Sequence, residues 1–266
     1  MQDPSPLVRA AAATSMGNYL TPENVTALLT AIRDDSRLVR MRAADTLAAL
    51  PPEMITEKDR QALDNATGEL EDSFRARPDD AMSYYNLANL YMDRGSFQKA
   101  VELFETALKM QPENIISLVN ASLAYARLGN LVQAESKLKQ ALAIDPGSAE
   151  ANFNMGLLKA EQNDLAGAEN HFRTALKTDP NFPEAAYNLC ILLSKDNLDE
   201  AVGLCRKAHD LRPRDAKYAY TLAFYLGQKG KREEAIAILQ KVLQQHPNFT
   251  DASMLLRALS EQQKTP

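Results

Sequence analysis

Apolar residues recur at helical spacing along most of the chain, and this pattern predicts a protein built from amphipathic helices. In residues 57–76, Leu63, Ala66, Leu70 and Phe74 are spaced 3, 4 and 4 residues apart. That spacing places the four side chains on one face of a helix, with polar residues on the others. Similar apolar stripes, separated by short turns, follow one another to residue 263. The hydrophobic pattern therefore predicts an all-α fold.

From residue 81 onward the apolar pattern repeats every 34 residues, five times, with one residue missing from the turn of the fourth repeat. Each repeat predicts two antiparallel helices. Small residues where the helices meet allow a close approach that larger side chains would prevent. A glycine permits the turn between the helices, and a proline ends the second helix. In the first repeat these positions are Tyr84, Leu87, Ala88, Tyr91, Gly95, Ala100, Phe104, Ala107 and Pro112.

These residues and their spacing resemble the tetratricopeptide repeat family over residues 81–249. The resemblance implies a right-handed α-solenoid of antiparallel helix pairs that binds other proteins. Residues 250–263 predict one further helix, and the segment 250–266 is expected to be a C-terminal cap and tail. Leu256 and Leu259 of this helix are expected to cover the last repeat, because a stacked array needs a polar outer face at its end.

The first 50 residues repeat differently, at an offset of 31. Residues 3–16 and 34–47 share the pattern D-x-S-x-L-V-R-x-x-A-A, which resembles the second helix of HEAT repeats, with residues 21–33 as the first helix between them. Ser5 and Ser36 are predicted to cap these helices through their hydroxyls. The chain opens on a second helix whose Leu7 would lack a cover, so we expect a fragment of a longer protein. Residues 51–80 are predicted to connect the two arrays, with their helix in the place of a second repeat helix.

An asparagine occupies the sixth position of the first helix in four successive repeats: Asn86, Asn120, Asn154 and Asn188. The sixth position is rotated by ~100° from the packed seventh position, so it points toward the concave groove of a solenoid. An asparagine side chain both donates and accepts, and could bond the amide and carbonyl of one extended peptide residue. The chain resembles the tetratricopeptide superhelix of O-linked N-acetylglucosamine transferase, where such a ladder holds peptide backbone. The alternative is that the asparagines bond neighbouring helices or water.

Apolar and aromatic residues flank the asparagines. They fill the fifth position with Tyr85, Val119, Phe153, Tyr187 and Tyr220, and the ninth with Asn89, Leu123, Leu157, Ile191 and Phe224. Part of this stripe is expected to be core. The remainder suits an extended or helical peptide with apolar side chains. The predicted peptide-binding residues are Asn86, Asn120, Asn154, Asn188, Tyr85, Asn89, Phe153, Tyr187, Tyr220 and Phe224.

Composition narrows the possible partners and the compartment. The net charge of −5 over 266 residues gives no basic surface for nucleic acid or for an anionic membrane. No apolar run approaches the ~18 residues that span a bilayer, so we expect a soluble protein without membrane insertion. The compartment stays open: cytoplasmic, or periplasmic if the parent protein carries a signal peptide. Cys190 and Cys205 are predicted to be buried thiols at two small packing positions, and export would leave their oxidation open.

No constellation of residues indicates an enzyme. The three histidines lack a partner at catalytic spacing, and the sequence contains no haem, zinc or phosphate-loop motif. We therefore expect no catalytic residue, no metal and no cofactor, and we predict a non-catalytic scaffold that binds a protein or peptide in its groove. Self-association is a further possibility. The alternative is a structural tail that positions a functional domain of a larger, exported electron-transfer protein. The order of HEAT-like and tetratricopeptide-like repeats resembles the C-terminal part of bacterial multihaem c-type cytochromes.

Overall fold

The computed structural model describes residues 1–48, 50–51 and 54–261, and within these ranges it contains fifteen helices and no strands. The predicted all-α fold of packed helix pairs is confirmed. The helices are α1 Pro6–Met16, α2 Pro22–Ala31, α3 Arg37–Leu47, α4 Glu57–Arg75, α5 Ala81–Asp93, α6 Phe97–Met110, α7 Ile115–Arg127, α8 Leu131–Ile144, α9 Ala149–Glu161, α10 Leu165–Thr178, α11 Pro183–Leu193, α12 Leu198–Leu211, α13 Ala216–Gln228, α14 Arg232–Gln245 and α15 Thr250–Glu261.

The chain divides into two compact units, an N-terminal unit (Met1–Lys137) and a C-terminal unit (Leu138–Pro266). In the N-terminal unit, α3 packs against α1, α2 and α4. Its Val39 and Ala43 are fully buried. On α1, by contrast, Leu7 and Val8 remain 69% and 50% exposed. The shared pattern of residues 3–16 and 34–47 thus occupies two different environments.

The predicted capping role of Ser5 and Ser36 is wrong. Both residues stand at the N-cap position, but neither hydroxyl accepts a capping hydrogen bond. Instead the aspartate two residues earlier accepts from the serine backbone N–H: Asp3 Oδ1 at 2.8 Å from Ser5 N, and Asp34 Oδ1 at 2.9 Å from Ser36 N. This amide belongs to the N-cap residue itself and is not the N2 or N3 amide that a capping hydroxyl would accept from. The D-x-S spacing brings the carboxylate within its reach.

The arginine of the same pattern ties neighbouring helices together. Arg9 donates to both carboxylate oxygens of Asp34 at 2.8 Å. One repeat later, Arg40 donates to both oxygens of Glu69 on α4, at 3.0 and 2.8 Å. The guanidinium beside Asp34 holds the pKa of that carboxyl well below its usual range. Bidentate pairs of this kind are stronger and more directional than single ion pairs.

Helix α4 occupies the position of a second repeat helix, as its 34-residue spacing from the next repeat predicts. It packs against α3 and α5, and its Ala66 and Leu70 are buried, at the places that Ala100 and Phe104 fill one repeat later. The Tyr91 hydroxyl donates to Glu71 of α4 at 3.0 Å. The equivalent hydroxyl of Tyr125 donates to Glu105 of α6 at 2.9 Å, so α4 and α6 supply the same contact. Burial and this hydrogen bond raise the pKa of Tyr125 to about 12.

The C-terminal unit contains the complete helix pairs α9–α10, α11–α12 and α13–α14, each packed on the next, with α15 against α13 and α14. On α15, Leu259 is buried and Leu256 is half-buried, as predicted for a capping helix. Residues 262 and 263, the predicted end of this helix, lie outside the described residues.

In four of the five repeats the turn between the two helices contains a residue with a left-handed backbone, and the shortened turn of the fourth repeat contains none. Gly95, Gly129 and Gly230 have φ values of 69°, 75° and 78°. In the third repeat the same position holds Asn163, with φ 60°. Asparagine tolerates this conformation better than other residues with a side chain, although less well than glycine. The predicted glycine turns are confirmed, and an asparagine replaces the glycine once.

Candidate functional site

The ninth position of the first helix carries an accessible apolar side chain in the second to fifth repeats, whereas the first repeat has the half-buried Asn89 there. In the C-terminal unit Leu157, Ile191 and Phe224 are 37%, 40% and 36% exposed, and in the N-terminal unit Leu123 is 37% exposed. One residue earlier, the eighth position is buried throughout the described repeats. These helices therefore separate a packed side from an open side that carries apolar surface.

We define the first-helix face as the fifth, sixth and ninth positions of the first helices in the C-terminal unit. Its members are Phe153, Asn154, Leu157, Tyr187, Asn188, Ile191, Tyr220, Thr221 and Phe224.

Two asparagines of the first-helix face are held by their own helices. The Nδ2 of Asn154 donates to the carbonyl oxygen of Glu150, and that of Asn188 to the carbonyl oxygen of Glu184, both at 2.8 Å. Both side chains are half-buried. Each bond uses one of the two amide hydrogens, which leaves one N–H and the side-chain carbonyl oxygen for a further partner. The two asparagine side chains thus have a fixed orientation and still have hydrogen-bonding groups for a ligand.

Thr221, which replaces the asparagine in the fifth repeat, is buried and bonded within the unit. Its hydroxyl donates to the carbonyl oxygen of Lys217 at 2.9 Å, and the Tyr187 hydroxyl lies 3.3 Å away. The ladder of available side chains in this unit therefore consists of Asn154 and Asn188.

Aromatic rings at the fifth position pack against other aromatic rings, which lie in neighbouring helices or in the segments between repeats. The ring pairs are Phe153–Phe182 at 4.8 Å, Phe153–Phe172 at 5.9 Å, Tyr187–Tyr218 at 4.8 Å and Tyr220–Phe249 at 5.3 Å between centroids. The ammonium of Lys217 lies 4.8 Å from the centre of the Tyr187 ring. Tyr220 also lies 6.5 Å from Phe224 of its own helix. These rings form a half-buried wall beside the exposed ninth positions, so each contributes to both core and surface.

In the N-terminal unit the structure brings three of the predicted residues together. The Nδ2 of Asn120 donates to the Tyr85 hydroxyl and to Asn89 Oδ1, both at 3.0 Å. Both amide hydrogens of Asn120 are used, and only its carbonyl oxygen remains for a ligand. Asn86 is half-buried, and within the described ranges its side chain has no hydrogen bond. Val119, at the fifth position of the second repeat, is buried and is one of the residues of this stripe that belong to the core.

The sequence analysis missed two exposed residues at the second position of the first helices. Met82 and Ile116 are 50% and 64% exposed. Each stands four residues before an asparagine, Asn86 or Asn120, and therefore on the same helix face. The four-residue spacing is visible in the sequence, and it would have placed both residues beside the asparagines.

Two of the three histidines of the C-terminal unit, His171 and His209, are half-buried on second helices, whereas His246 is exposed. His171 Nδ1 lies 2.9 Å from Oδ1 of Asn152, which is itself buried. Burial lowers the pKa of His171 and of His209. In the part of the chain that the structure describes, no group of three or more metal-binding side chains lies together. None of the helices described there combines the length and the apolar character of a membrane span.

Cys190 and Cys205 are joined in a disulfide between α11 and α12, with their Cα atoms 5.4 Å apart. Both are buried, as predicted, but they are not the free thiols that the sequence analysis expected. The description of two small packing positions is also wrong for Cys205, because the equivalent residues in the neighbouring repeats are Phe172 and Leu239. The two positions face each other across the helix pair, which brings the sulfur atoms within bonding reach.

Comparison with known families assigns both parts of the chain. Residues 60–115, 85–149, 125–189 and 192–259 match tetratricopeptide repeat profiles, and residues 1–77 match the HEAT repeats profile. No curated protein matches the chain.

Solved structures share the fold at low sequence identity. PilW, a type IV pilus biogenesis factor, is 22% identical with a TM-score of 0.62, and the match covers 82% of this chain and 98% of PilW. A chain of the Cut9–Hcn1 hetero-tetramer of the APC/C is 17% identical with a TM-score of 0.60, over 97% of this chain and 49% of that one. YrrB, described as a TPR protein with an unusual peptide-binding site, is 20% identical with a TM-score of 0.51, over 69% of this chain and 95% of YrrB.

Proposed function

The chain belongs to the tetratricopeptide repeat family, with HEAT repeats at its N-terminal end, and on that premise we propose that it is a non-catalytic scaffold that holds a peptide segment of a partner protein along its first-helix face. The family and its structural relatives support a protein-interaction role in general. The peptide and the residues that contact it are our proposal.

The observation that carries the proposal is the row of exposed apolar side chains at the ninth position. Leu157, Ile191 and Phe224 come from three successive first helices of one compact unit. Apolar side chains that recur at the same place in successive repeats, beside half-buried rings, are typical of a binding surface. The proposed ligand therefore carries apolar side chains in an extended or helical backbone, as peptides bound to helical grooves do.

Asn154 and Asn188 would hold the backbone of that peptide. Each is oriented by its bond to the preceding helical turn, so little side-chain freedom is lost when a ligand binds. Each offers one N–H and one carbonyl oxygen, which match the C=O and N–H of a single peptide residue. In the N-terminal unit, Asn120 offers its carbonyl oxygen, while Asn86, Tyr85 and Asn89 are proposed as further contacts.

A random peptide library displayed on phage, selected against the wild-type chain, tests the proposal. Affinities of selected peptides are then measured for the wild type and for Asn154→Ala/Asn188→Ala. Each site loses about 1 kcal/mol of hydrogen bonding, so the double variant should bind roughly 25-fold more weakly. Asn170→Ala is the matched control, because Asn170 is an exposed asparagine on the second helix α10.

Unchanged affinity in the double variant, or an equal loss in the Asn170→Ala control, would contradict the role of the asparagines. A second pair of variants tests the apolar surface. Leu157→Ala should weaken binding, whereas Leu165→Ala should not, because Leu165 is a 51% exposed leucine on the second helix α10. A library that yields no binder would contradict the peptide proposal and favour a structural role in a larger protein.

A further inference from the structure

The disulfide of the fourth repeat occupies a place that other repeats fill with a small residue and a large one. The equivalent pairs are Ala88 with Phe104, Gly156 with Phe172, and Ala223 with Leu239. The third repeat shows how closely the two positions approach, because a Cβ atom on Gly156 would lie 2.6 Å from the Phe172 ring. In the fourth repeat Cys190 is the small residue and Cys205 stands where the large one belongs.

Two unbonded cysteines would fill this place poorly. A cysteine side chain is much smaller than that of phenylalanine or leucine, and missing core volume destabilises a helix pair. Cys190 and Cys205 are 0% and 1% exposed within a core that includes Leu189, Leu193 and Leu222, so the pair lies at a buried contact between the two helices. The Cα–Cα distance of 5.4 Å, however, lies within the range of native disulfides. A covalent bond thus supplies the cohesion that the absent large side chain supplies elsewhere.

We propose that the Cys190–Cys205 disulfide is a permanent structural crosslink, and that the chain therefore acts in an oxidising compartment outside the cytoplasm. Disulfides persist in such compartments and are rare where thiols are kept reduced.

The bond forms by exchange with an oxidant that is itself a protein disulfide. The Cys190 thiolate attacks one sulfur of the donor disulfide and releases the first donor thiolate. The Cys205 thiolate then attacks the Cys190 sulfur of the mixed disulfide and releases the second donor thiolate. The chain loses two thiol protons and two electrons, and the donor is left as a dithiol.

Burial favours a structural bond over a reversible switch. A reducing thiolate has to reach one of the sulfur atoms, and both cysteines are shielded by the helix pair. Labile regulatory disulfides are exposed, whereas this one opens only when α11 and α12 separate.

The redox state in living cells is the first test. Cells of the source organism are lysed in acid and alkylated under denaturing conditions, and the thiols that reacted in this chain are counted by mass spectrometry. We expect both cysteines to be protected before reduction and both to react after it. Alkylation of both cysteines before reduction would overturn the proposal.

Thermal stability of the purified chain is the second test. The wild type is reduced in urea and refolded with the reductant retained, and its melting temperature should fall by roughly 5 to 10 °C. Cys190→Ala/Cys205→Leu reproduces the small–large pair of the fifth repeat. Its melting temperature should be close to that of the oxidised wild type and should not change when reductant is added. Cys190→Ala/Cys205→Ala should melt near the reduced wild type. An unchanged melting temperature after reduction of the wild type would overturn the proposal even if a variant does not fold.

Discussion

Replacing Gly156 by alanine tests the close helix contact on which the repeat architecture depends. Gly156 lies in α9, is buried, and faces Phe172 of α10. A Cβ atom there would lie 2.6 Å from two ring atoms of Phe172, a distance at which either the ring or the helix has to move. Phe172 is itself only 2% exposed, so the ring has little room to yield.

Two opposing effects determine how much Gly156→Ala changes the free energy of unfolding. Alanine in place of glycine inside a helix stabilises by about 1 kcal/mol, whereas overpacking a buried contact costs about 1 to 3 kcal/mol. Gly156→Ala should therefore lower the free energy of unfolding by roughly 0 to 2 kcal/mol. Gly203→Ala is the matched control: Gly203 is exposed inside helix α12, and a Cβ atom there meets nothing within 4 Å. That variant should gain stability.

Urea denaturation followed by far-ultraviolet circular dichroism measures both effects. The double variant Gly156→Ala/Phe172→Leu should recover most of the loss, because it reproduces the Ala223 and Leu239 pair of the fifth repeat. If Gly156→Ala gains as much stability as Gly203→Ala, the contact between Gly156 and Phe172 is not as the structure places it.

Three further predictions concern the turns, a buried phenol and the asparagine network. In urea denaturation, Gly129→Ala should lower the free energy of unfolding by about 1 kcal/mol, and Asn163→Gly should raise it by a smaller amount, because both positions have positive φ. If both variants are as stable as the wild type, the turn assignment is contradicted. The raised pKa of Tyr125, about 12 against an ordinary 10.0, means that its stabilising contribution is complete below pH 10 and is lost as pH rises toward 12. Spectrophotometric titration should show this late-ionising phenol, and Tyr125→Phe should remove it. A double-mutant cycle with Tyr85→Phe and Asn120→Ala should give a coupling energy of about 0.5 to 1.5 kcal/mol, and a coupling near zero would exclude their hydrogen bond.

The sequence predicted the fold well because small, aromatic and proline residues recur at fixed spacing, and each type has a local physical reason for its place. The same spacing predicts the position of α4 in the repeat array, because Ala66 and Leu70 lie 34 residues before Ala100 and Phe104. Ser5 and Ser36 stand at the predicted N-cap positions, but their hydroxyls make no capping bond, because that bond depends on the side-chain conformation and not on the residue type alone.

The candidate site was predicted less completely because side-chain hydrogen bonds depend on the neighbouring helix. The position of Asn120 placed it at the groove, but the sequence did not show that Tyr85 and Asn89 take both of its amide hydrogens. The disulfide was missed for a similar reason. Cys205 is equivalent to Phe172 and not to a small residue of the repeat. Because Phe172 faces Gly156, the equivalent of Cys190, this alignment would have placed the two cysteines opposite each other.

Site-directed photo-crosslinking tests the central claim, that a peptide binds along the first-helix face, most directly. A benzophenone amino acid is placed at Phe224 or, as the control, at Leu165, which is exposed on the second helix α10. Each protein is irradiated with a labelled peptide selected from the phage library. We expect a crosslinked product from the Phe224 position and little from the Leu165 position. Crosslinking from Leu165 alone would place the ligand on the second helices and exclude binding along the first-helix face.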